Sequence, residues 1–319
     1  MNIPDTIIGL SNEEYHRGEE FREYLSSTQI KDYVISPKYA RYKRLHPEQF
    51  QIGAEASEKG SLYHDYLESL VNTGSSEGFY KLFAVFDPPV NPRTGSPFGF
   101  GTKAYDEAKD FFQMQNEGKR LVSQTDVILV EKMAYELLNN CRSTSKSIRE
   151  IIKWGKAEIS HFVEYEGVKF KYRPDVETAK KIVDWKSVAV DDLHDDTINK
   201  VILKFKYHIS AAFYQFMEHE RSGVWKDFFW VFQQKSAPYD AVLVSAANWA
   251  YSQEDGIVKM GSGAHMFAKL LEQHVYCTKN QDFDGAQIFI KPEFKGRRIM
   301  EPKVPMYESI KQINFYNHE

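Results

Sequence analysis

The stretch "KYRPDVETAKKIVDWKSV", Lys171–Val188, decides how this chain is read. Its second half, "KKIVDWKSV", has the β-branched and aromatic content of a strand. A charged residue, Asp184, follows Ile182 and Val183 directly, and Trp185 and Lys186 come next. Residues two apart in a strand share a face. Ile182, Asp184 and Lys186 therefore point one way, and Val183 and Trp185 the other, toward a core. Burying an unpaired charge costs several kcal/mol, so this pair fits a strand whose charged face opens on a cleft or holds a metal. The alternative is a salt bridge between Asp184 and Lys186 on an exposed sheet face. A hairpin-like return would bring Asp175 beside Asp184, and Pro174 ends the hydrogen bonding of the strand before it. Two carboxylates offer hard oxygen ligands suited to Mg²⁺ or Mn²⁺. A lysine beside them can stabilise charge developing on a phosphate.

Around this stretch the periodicity sketches a mixed fold. "AEISHFVEYEGVKFKYRPDV" alternates, with Glu166-Gly167 placed to turn a hairpin. Helical patterns are expected at about residues 103–116, 125–140 and 145–153, and a long one over "KVILKFKYHISAAFYQFMEHE" with Tyr207, Ser210, Ala211 and Tyr214 on one face. "DFFWVFQQK" and "YDAVLVSAA" read as two further strands, and a helix is expected near residues 262–276. The order of helices, three strands, helix, two strands and helix implies an α/β core with helices packed on a central sheet. Upstream, "EASEKGSLYHDYLESLVN" is a helix with an apolar stripe of Leu62, Tyr63, Tyr66, Leu67, Leu70 and Val71. Gly60 and His64 share one side of it. "LSSTQIKDYVISPKYARYKRLH" reads as two short helices, capped by Ser27 or Thr28 and by Ser36 with Pro37. The Pro/Gly-rich segment at about 86–101 is a loop: a linker, a lid, or a tolerated insertion.

The bulk numbers bound the function. The chain has 319 residues with 42% hydrophobic and 27% charged composition, ordinary for a soluble globular protein. The net charge of −4 means that any nucleic-acid contact must come from a local patch. Two distant cysteines, Cys141 and Cys277, suit a reducing compartment. No signal peptide and no span of about 18 apolar residues is visible, so a cytoplasmic protein is expected, with no membrane contact.

"RPD", then eight intervening residues, then "DWK" resembles the PD-(D/E)xK nuclease signature. "KGSLYHDYL" resembles the Gly-x-x-x-His helix that precedes the core in RecE-type exonucleases (exodeoxyribonuclease VIII). "KYHISAAFY" resembles the Tyr-His-x-Gln-x-Ala-Phe-Tyr helix that follows it. "LSSTQIKDYVISPKYARY" is similar to the Ser-rich start and Ser-Pro-x-x-Tyr segment of RecB-like and RecE-like domains. The resemblance spans about residues 25–245, and the four segments stand in the family's order. It implies a restriction-endonuclease-like core: a central mixed β-sheet flanked by helices, in one nuclease domain. Residues 1–55 would form an N-terminal helical segment, 56–250 the catalytic core, and 251–319 a C-terminal helix and tail.

Carried over by position, the resemblance implies that His64, Asp175 and Asp184 ligate one or two Mg²⁺ or Mn²⁺ ions, with the Trp185 backbone carbonyl as a further ligand. Lys186 would place the attacking water, and Tyr214 matches the tyrosine of the helix after the core. Ser210 stands where the family usually has glutamine, a shorter group with fewer hydrogen-bonding positions. Glu68 could orient the His64 ring or be solvated, and His208 is expected to pack or cap. The implied activity is 5′→3′ exonucleolytic hydrolysis of linear double-stranded DNA in phage-type recombination. A ring-like homo-oligomer and a single-strand annealing protein of the RecT type are the implied partners. Lys38, Arg41, Arg44, Arg93 and Lys103 are candidates to line a DNA channel; the first three share a basic helix that could equally be a solvated face. A RecB-like or Cas4-like single-strand nuclease of the same fold, and a binding or assembly module that has lost its chemistry, are the rival readings. Two cysteines argue against the four-cysteine cluster of the Cas4-like branch.

Overall fold

Elements follow one another where the apolar period switches between about 3.6 and 2. In this computed structural model, which describes residues 3–50, 54–140, 142–143 and 146–283, the chain begins with β1 (Thr6–Ile7), α1 (Asn12–Arg17), α2 (Ser27–Asp32) and α3 (Pro37–Leu45). The 20-residue α4 (Ala54–Thr73) follows, then α5 (Glu77–Leu82), β2 (Phe83–Phe86), α6 (Lys103–Gln115), β3 (Arg120–Ser123) and α7 (Gln124–Tyr135). Next come β4 (Arg142–Ser143), β5 (Lys146–Ser147), α8 (Ile148–Ile151), β6 (Lys156–Ala157), β7 (Ser160–Tyr165), β8 (Val168–Tyr172), β9 (Val176–Glu177) and β10 (Lys181–Val188). The rest is α9 (Asp195–Phe205), α10 (Tyr207–Ser222), β11 (Asp227–Gln234), β12 (Ala241–Ser245), β13 (Tyr251–Glu254), β14 (Ile257–Met260) and α11 (Ser262–Asn280).

The central sheet is mixed, in the order β12-β11-β10-β9-β6. β10 runs parallel to β11 along its full length and antiparallel to β9 only at Ile182 and Val183. Its two faces feed two separate cores. Ile182 packs with Ile209, Phe213 and Trp230 in the cluster under α10 and α11; Val183 and Trp185 pack with Tyr63, Leu67 and Val130 under α4 and α7. Both faces of the strand are thus buried, not one, and each such side chain contributes about 1.5–3 kcal/mol by leaving water. The β7–β8 hairpin turns at Glu166-Gly167, where φ is +53° and +74°. Its glycine takes the left-handed conformation at no steric cost. This hairpin pairs with β1 in a second, three-stranded sheet and does not extend the central one.

Several local expectations shift. Ser26, with Gln29 in a capping box, caps α2 in place of Ser27 or Thr28, while Ser36 caps α3 with Pro37 in its first turn. The long helix expected over residues 200–220 breaks at Lys206, whose φ of +55° ends α9 and starts α10. The helix expected at 145–153 shrinks to α8 behind the β4–β5 pair. The Pro/Gly-rich loop folds back on itself, bridging Val90 to Pro97 with Arg93 near its tip. Among the described residues no helix is long and apolar enough to cross a membrane. Cys141 and the tail from residue 284, with Arg297 and Arg298, lie outside the described residues.

Candidate active site

The site begins where the sheet stops pairing. Pro174 has no N–H to donate, and β9 starts only at Val176, so β10 loses its neighbour on that side after Val183. The amide of Trp185 donates instead to Asp175 Oδ2 at 2.6 Å. A carboxylate thereby completes the ladder, and Asp175 is held beside Asp184. Lys186 Nζ sits 2.5 Å from Asp184 Oδ2 and donates to the Trp185 carbonyl at 3.2 Å. From α4, His64 Nδ1 reaches to 3.4 Å from Asp175 Oδ1. His64, Asp175, Asp184 and Lys186 all line one open cleft of about 1070 Å³, with Gly60 one helical turn before the histidine. A Cβ at Gly60 would meet nothing within 4 Å, so the glycine leaves open space on this wall.

The charges are strongly coupled. Burial pushes Asp184 up, and the nearby Asp175 adds to this; the neighbouring Lys186 only partly offsets them, and the carboxyl stands at about 6. Burial also opposes ionisation of Asp175, but His64, Lys186 and the Trp185 amide outweigh it and hold this carboxyl below its ordinary value. His64 and Lys186 are both raised: burial disfavours their charged forms, and the carboxylates facing them win.

Glu158 joins the group without any warning in the sequence. It sits at the kink between β6 and β7 with φ +56°, a left-handed backbone that turns its side chain to the cleft. Oxygens of Glu158 and Asp175 and a ring nitrogen of His64 lie within 4.8 Å of one another. Burial, then the charge of Asp175, push Glu158 up to about 8. A set of carboxylate oxygens plus one imidazole fits a divalent cation. Glu158 and Asp175 stand beside the His64 ring, and Glu68 is half-buried one turn further along α4.

Arg173 ties this wall to the N-terminal segment. Its guanidinium donates to Ser160 Oγ at 2.9 Å and Asn12 Oδ1 at 2.8 Å, lies 3.6 Å from Glu158, and covers the ring of Tyr15. On α10, Ser210 and Tyr214 stand one turn apart and both line the cleft. The Tyr214 hydroxyl donates to the Arg173 carbonyl at 3.2 Å, which steadies the backbone just before Asp175. His208 is buried against Trp249, away from the cleft.

The five expected channel cations are not at this cleft. Lys38 and Arg41 border a separate hollow beside Phe283, Arg44 is exposed on the same helix, Arg93 is in the folded-back loop, and Lys103 pairs with Glu107 on α6. The basic helix α3 faces away because its buried side, Pro37 and Ala40, is packed inward. The cations that do line the cleft are Arg17, Lys31, Arg120, Arg173, Lys186 and Lys235.

Residues 26–283 match the family described as a PDDEXK-like domain of unknown function (DUF3799). The chain belongs to this PDDEXK-like family. Its architecture also resembles the crystal structure titled "Putative exonuclease" from Eubacterium rectale, with a TM-score of 0.50 and 16% identity over 95% of this chain and 98% of that one. No curated protein matches the chain. The PDDEXK-like core thus includes α4, the β8–β10 stretch and α10, which carry His64, the two aspartates with Lys186, and Ser210 with Tyr214. Residues 12–17, which also line the cleft, precede the matched part.

Proposed function

We propose that this PDDEXK-like protein is a metal-dependent deoxyribonuclease. The observation that carries the reading is the convergence of Asp175, Asp184 and Lys186, with His64 and Glu158, on one open cleft. Asp175 and Asp184, with the Trp185 carbonyl, would hold one Mg²⁺ or Mn²⁺ ion, and His64, Glu158 and Asp175 could hold a second. Bound there, the cation supplies Lewis-acid polarisation of a phosphodiester and an acidified water. The chain's own groups do the rest. Lys186, held between Asp184 and the Trp185 carbonyl, is placed to orient a water and to stabilise charge on the phosphate. Tyr214 keeps the Arg173–Asp175 backbone in register. Ser210 presents a hydroxyl to the cleft, shorter than glutamine and able to reach a phosphate through water.

The finer reading is a 5′→3′ exonuclease on linear double-stranded DNA of the RecE type, active in recombination as a homo-oligomer beside a RecT-type annealing protein. What supports it is the order of the four sequence segments, together with a fold shared with a solved structure titled "Putative exonuclease". The test is digestion of linear, nicked, closed circular and single-stranded DNA with Mg²⁺ or Mn²⁺, alongside Mn²⁺ binding by calorimetry. Loss of linear duplex from its 5′ ends, abolished by Lys186→Ala with Mn²⁺ binding retained, is expected. Cutting of closed circles would make it an endonuclease. Absence of both cutting and Mn²⁺ binding by a folded protein would end the hydrolytic reading.

A further inference from the structure

Lys31 is a cation in the cleft that the hydrolytic site does not use. It stands on α2, half-buried, close enough to Lys186 and Asp184 for their charges to act on it. Its bonding partner is the Phe205 carbonyl, at a long 3.4 Å, and no carboxylate lies within ion-pair distance among the described residues. Burial, then the repulsion of Lys186, lowers it to about 8. A half-buried ammonium next to another ammonium is stabilised by an anion from outside.

The surroundings of Lys31 suit a strand of nucleic acid. Tyr207 lies between the two lysines, its ring 5.1 Å from Lys186 Nζ and 5.9 Å from Lys31 Nζ. Phe205 stacks on Tyr207 with centroids 5.5 Å apart and an interplanar angle of 22°, and it is 48% exposed. The left-handed Lys206 between them breaks the helix and presents both rings together. α1 brings Arg17 to the same cleft. Lys31 and Arg17 thus share the cleft with the carboxylates, and the Tyr207 ring lines it with Phe205 stacked on that ring. A cationic groove lined with aromatic faces is how proteins hold single strands.

We propose, resting on the hydrolytic reading above, that the cleft takes one unpaired DNA strand: Lys31 holds a backbone phosphate next to the one over Asp175 and Asp184, and the Phe205–Tyr207 pair stacks bases beyond it. A duplex is attacked only where an end opens.

Binding is measured by fluorescence anisotropy in EDTA, in the Asp184→Asn background, so that hydrolysis plays no part. The probes are a labelled short oligonucleotide and a duplex of the same sequence closed by hairpins at both ends. The oligonucleotide is expected to bind at least about tenfold more tightly than the closed duplex. Phe205→Ala, at an exposed position, should weaken the oligonucleotide about tenfold. Lys31→Met, which keeps the stem, should lower the salt slope for the oligonucleotide by about 0.7, and Lys31→Arg should restore it. Equal affinity for the closed duplex overturns the proposal. So does an unchanged salt slope in a folded Lys31→Met protein, which would leave Lys31 as a cap on the end of α9. Failure of the hydrolytic reading shows separately, as intact strand binding without cleavage by the wild type.

Discussion

Asp184→Asn should make the metal-free protein more stable and the metal-loaded protein less so. Asp184 is 14% exposed, and burial with Asp175 nearby raises its carboxyl from 3.8 to about 6 in the fold. Between those two values the folded state binds more protons than the unfolded state, so stability falls as pH rises through that window. Each tenfold change in proton affinity is worth about 1.36 kcal/mol, so an ionised Asp184 costs the metal-free fold up to about 3 kcal/mol above pH 6. The amide removes the charge and still accepts from Lys186. An unfolding entropy of about 2.1 cal/mol/K per residue over 319 residues turns this into a rise in Tm of about 4 °C in EDTA at pH 7.5. The difference should shrink toward zero below about pH 3, where both states protonate the wild-type carboxyl. Excess Mn²⁺ reverses the order, since an ion at a hundred times its Kd stabilises the wild type by about 2.7 kcal/mol, and the variant lacks the ligand. Thermal unfolding at two pH values, with EDTA or Mn²⁺, reads all four corners. An Asp184→Asn protein less stable than wild type in EDTA, or gaining as much from Mn²⁺, would refute the reasoning.

Glu158→Gln should flatten the fall in metal-free stability between pH 4.5 and about 8, because the raised carboxyl of Glu158 is lost; urea midpoints across pH check this, and calorimetry should show Mn²⁺ affinity down at least about tenfold. Glu218→Gln should cost about 3–5 kcal/mol in urea unfolding, since fully buried Glu218 accepts from Tyr172 and pairs with both Arg221 and Lys226; Mn²⁺ binding should be unchanged. Gly263→Ala should cost about 1–3 kcal/mol, because its Cβ would stand 2.4 Å from the His208 carbonyl oxygen and 2.6 Å from that of Trp249. Gly60→Ala, with open space around it, should instead stabilise by about 0.5–1 kcal/mol, and the two can be compared in one thermal scan.

The fold was legible wherever a period carried it. The α4 stripe, the β7–β8 turn and the strands β10 to β12 stand where the alternation placed them, because burial on a fixed face leaves its mark at fixed spacing. What escaped depends on single backbone angles or on pairing between distant segments. The break at Lys206 needs a left-handed non-glycine residue, for which the lysine gives no sign. β1 is two residues long and exists only through its pairing with β7.

The site divides along the same line. Asp175, Asp184 and Lys186 could be brought together in advance because strand register is local arithmetic: a return after Asp175 must place it beside Asp184. Glu158 could not, since its approach depends on a kink in a neighbouring strand, and its sequence context reads as plain alternation. The cations expected along a DNA channel lie away from this cleft for a related reason. A charge run such as Lys38 to Arg44 is visible in sequence because it is dense, yet density marks the solvated face of α3, whose other side is buried. Lys31, Arg17 and Arg173 are single cations on separate elements, and only the packing of α1 and α2 against the β8–β10 stretch gathers them at one cleft. For a site built at the meeting point of several elements, the density of charge along the sequence is therefore a poor guide, because packing between distant segments decides which cations share the cleft.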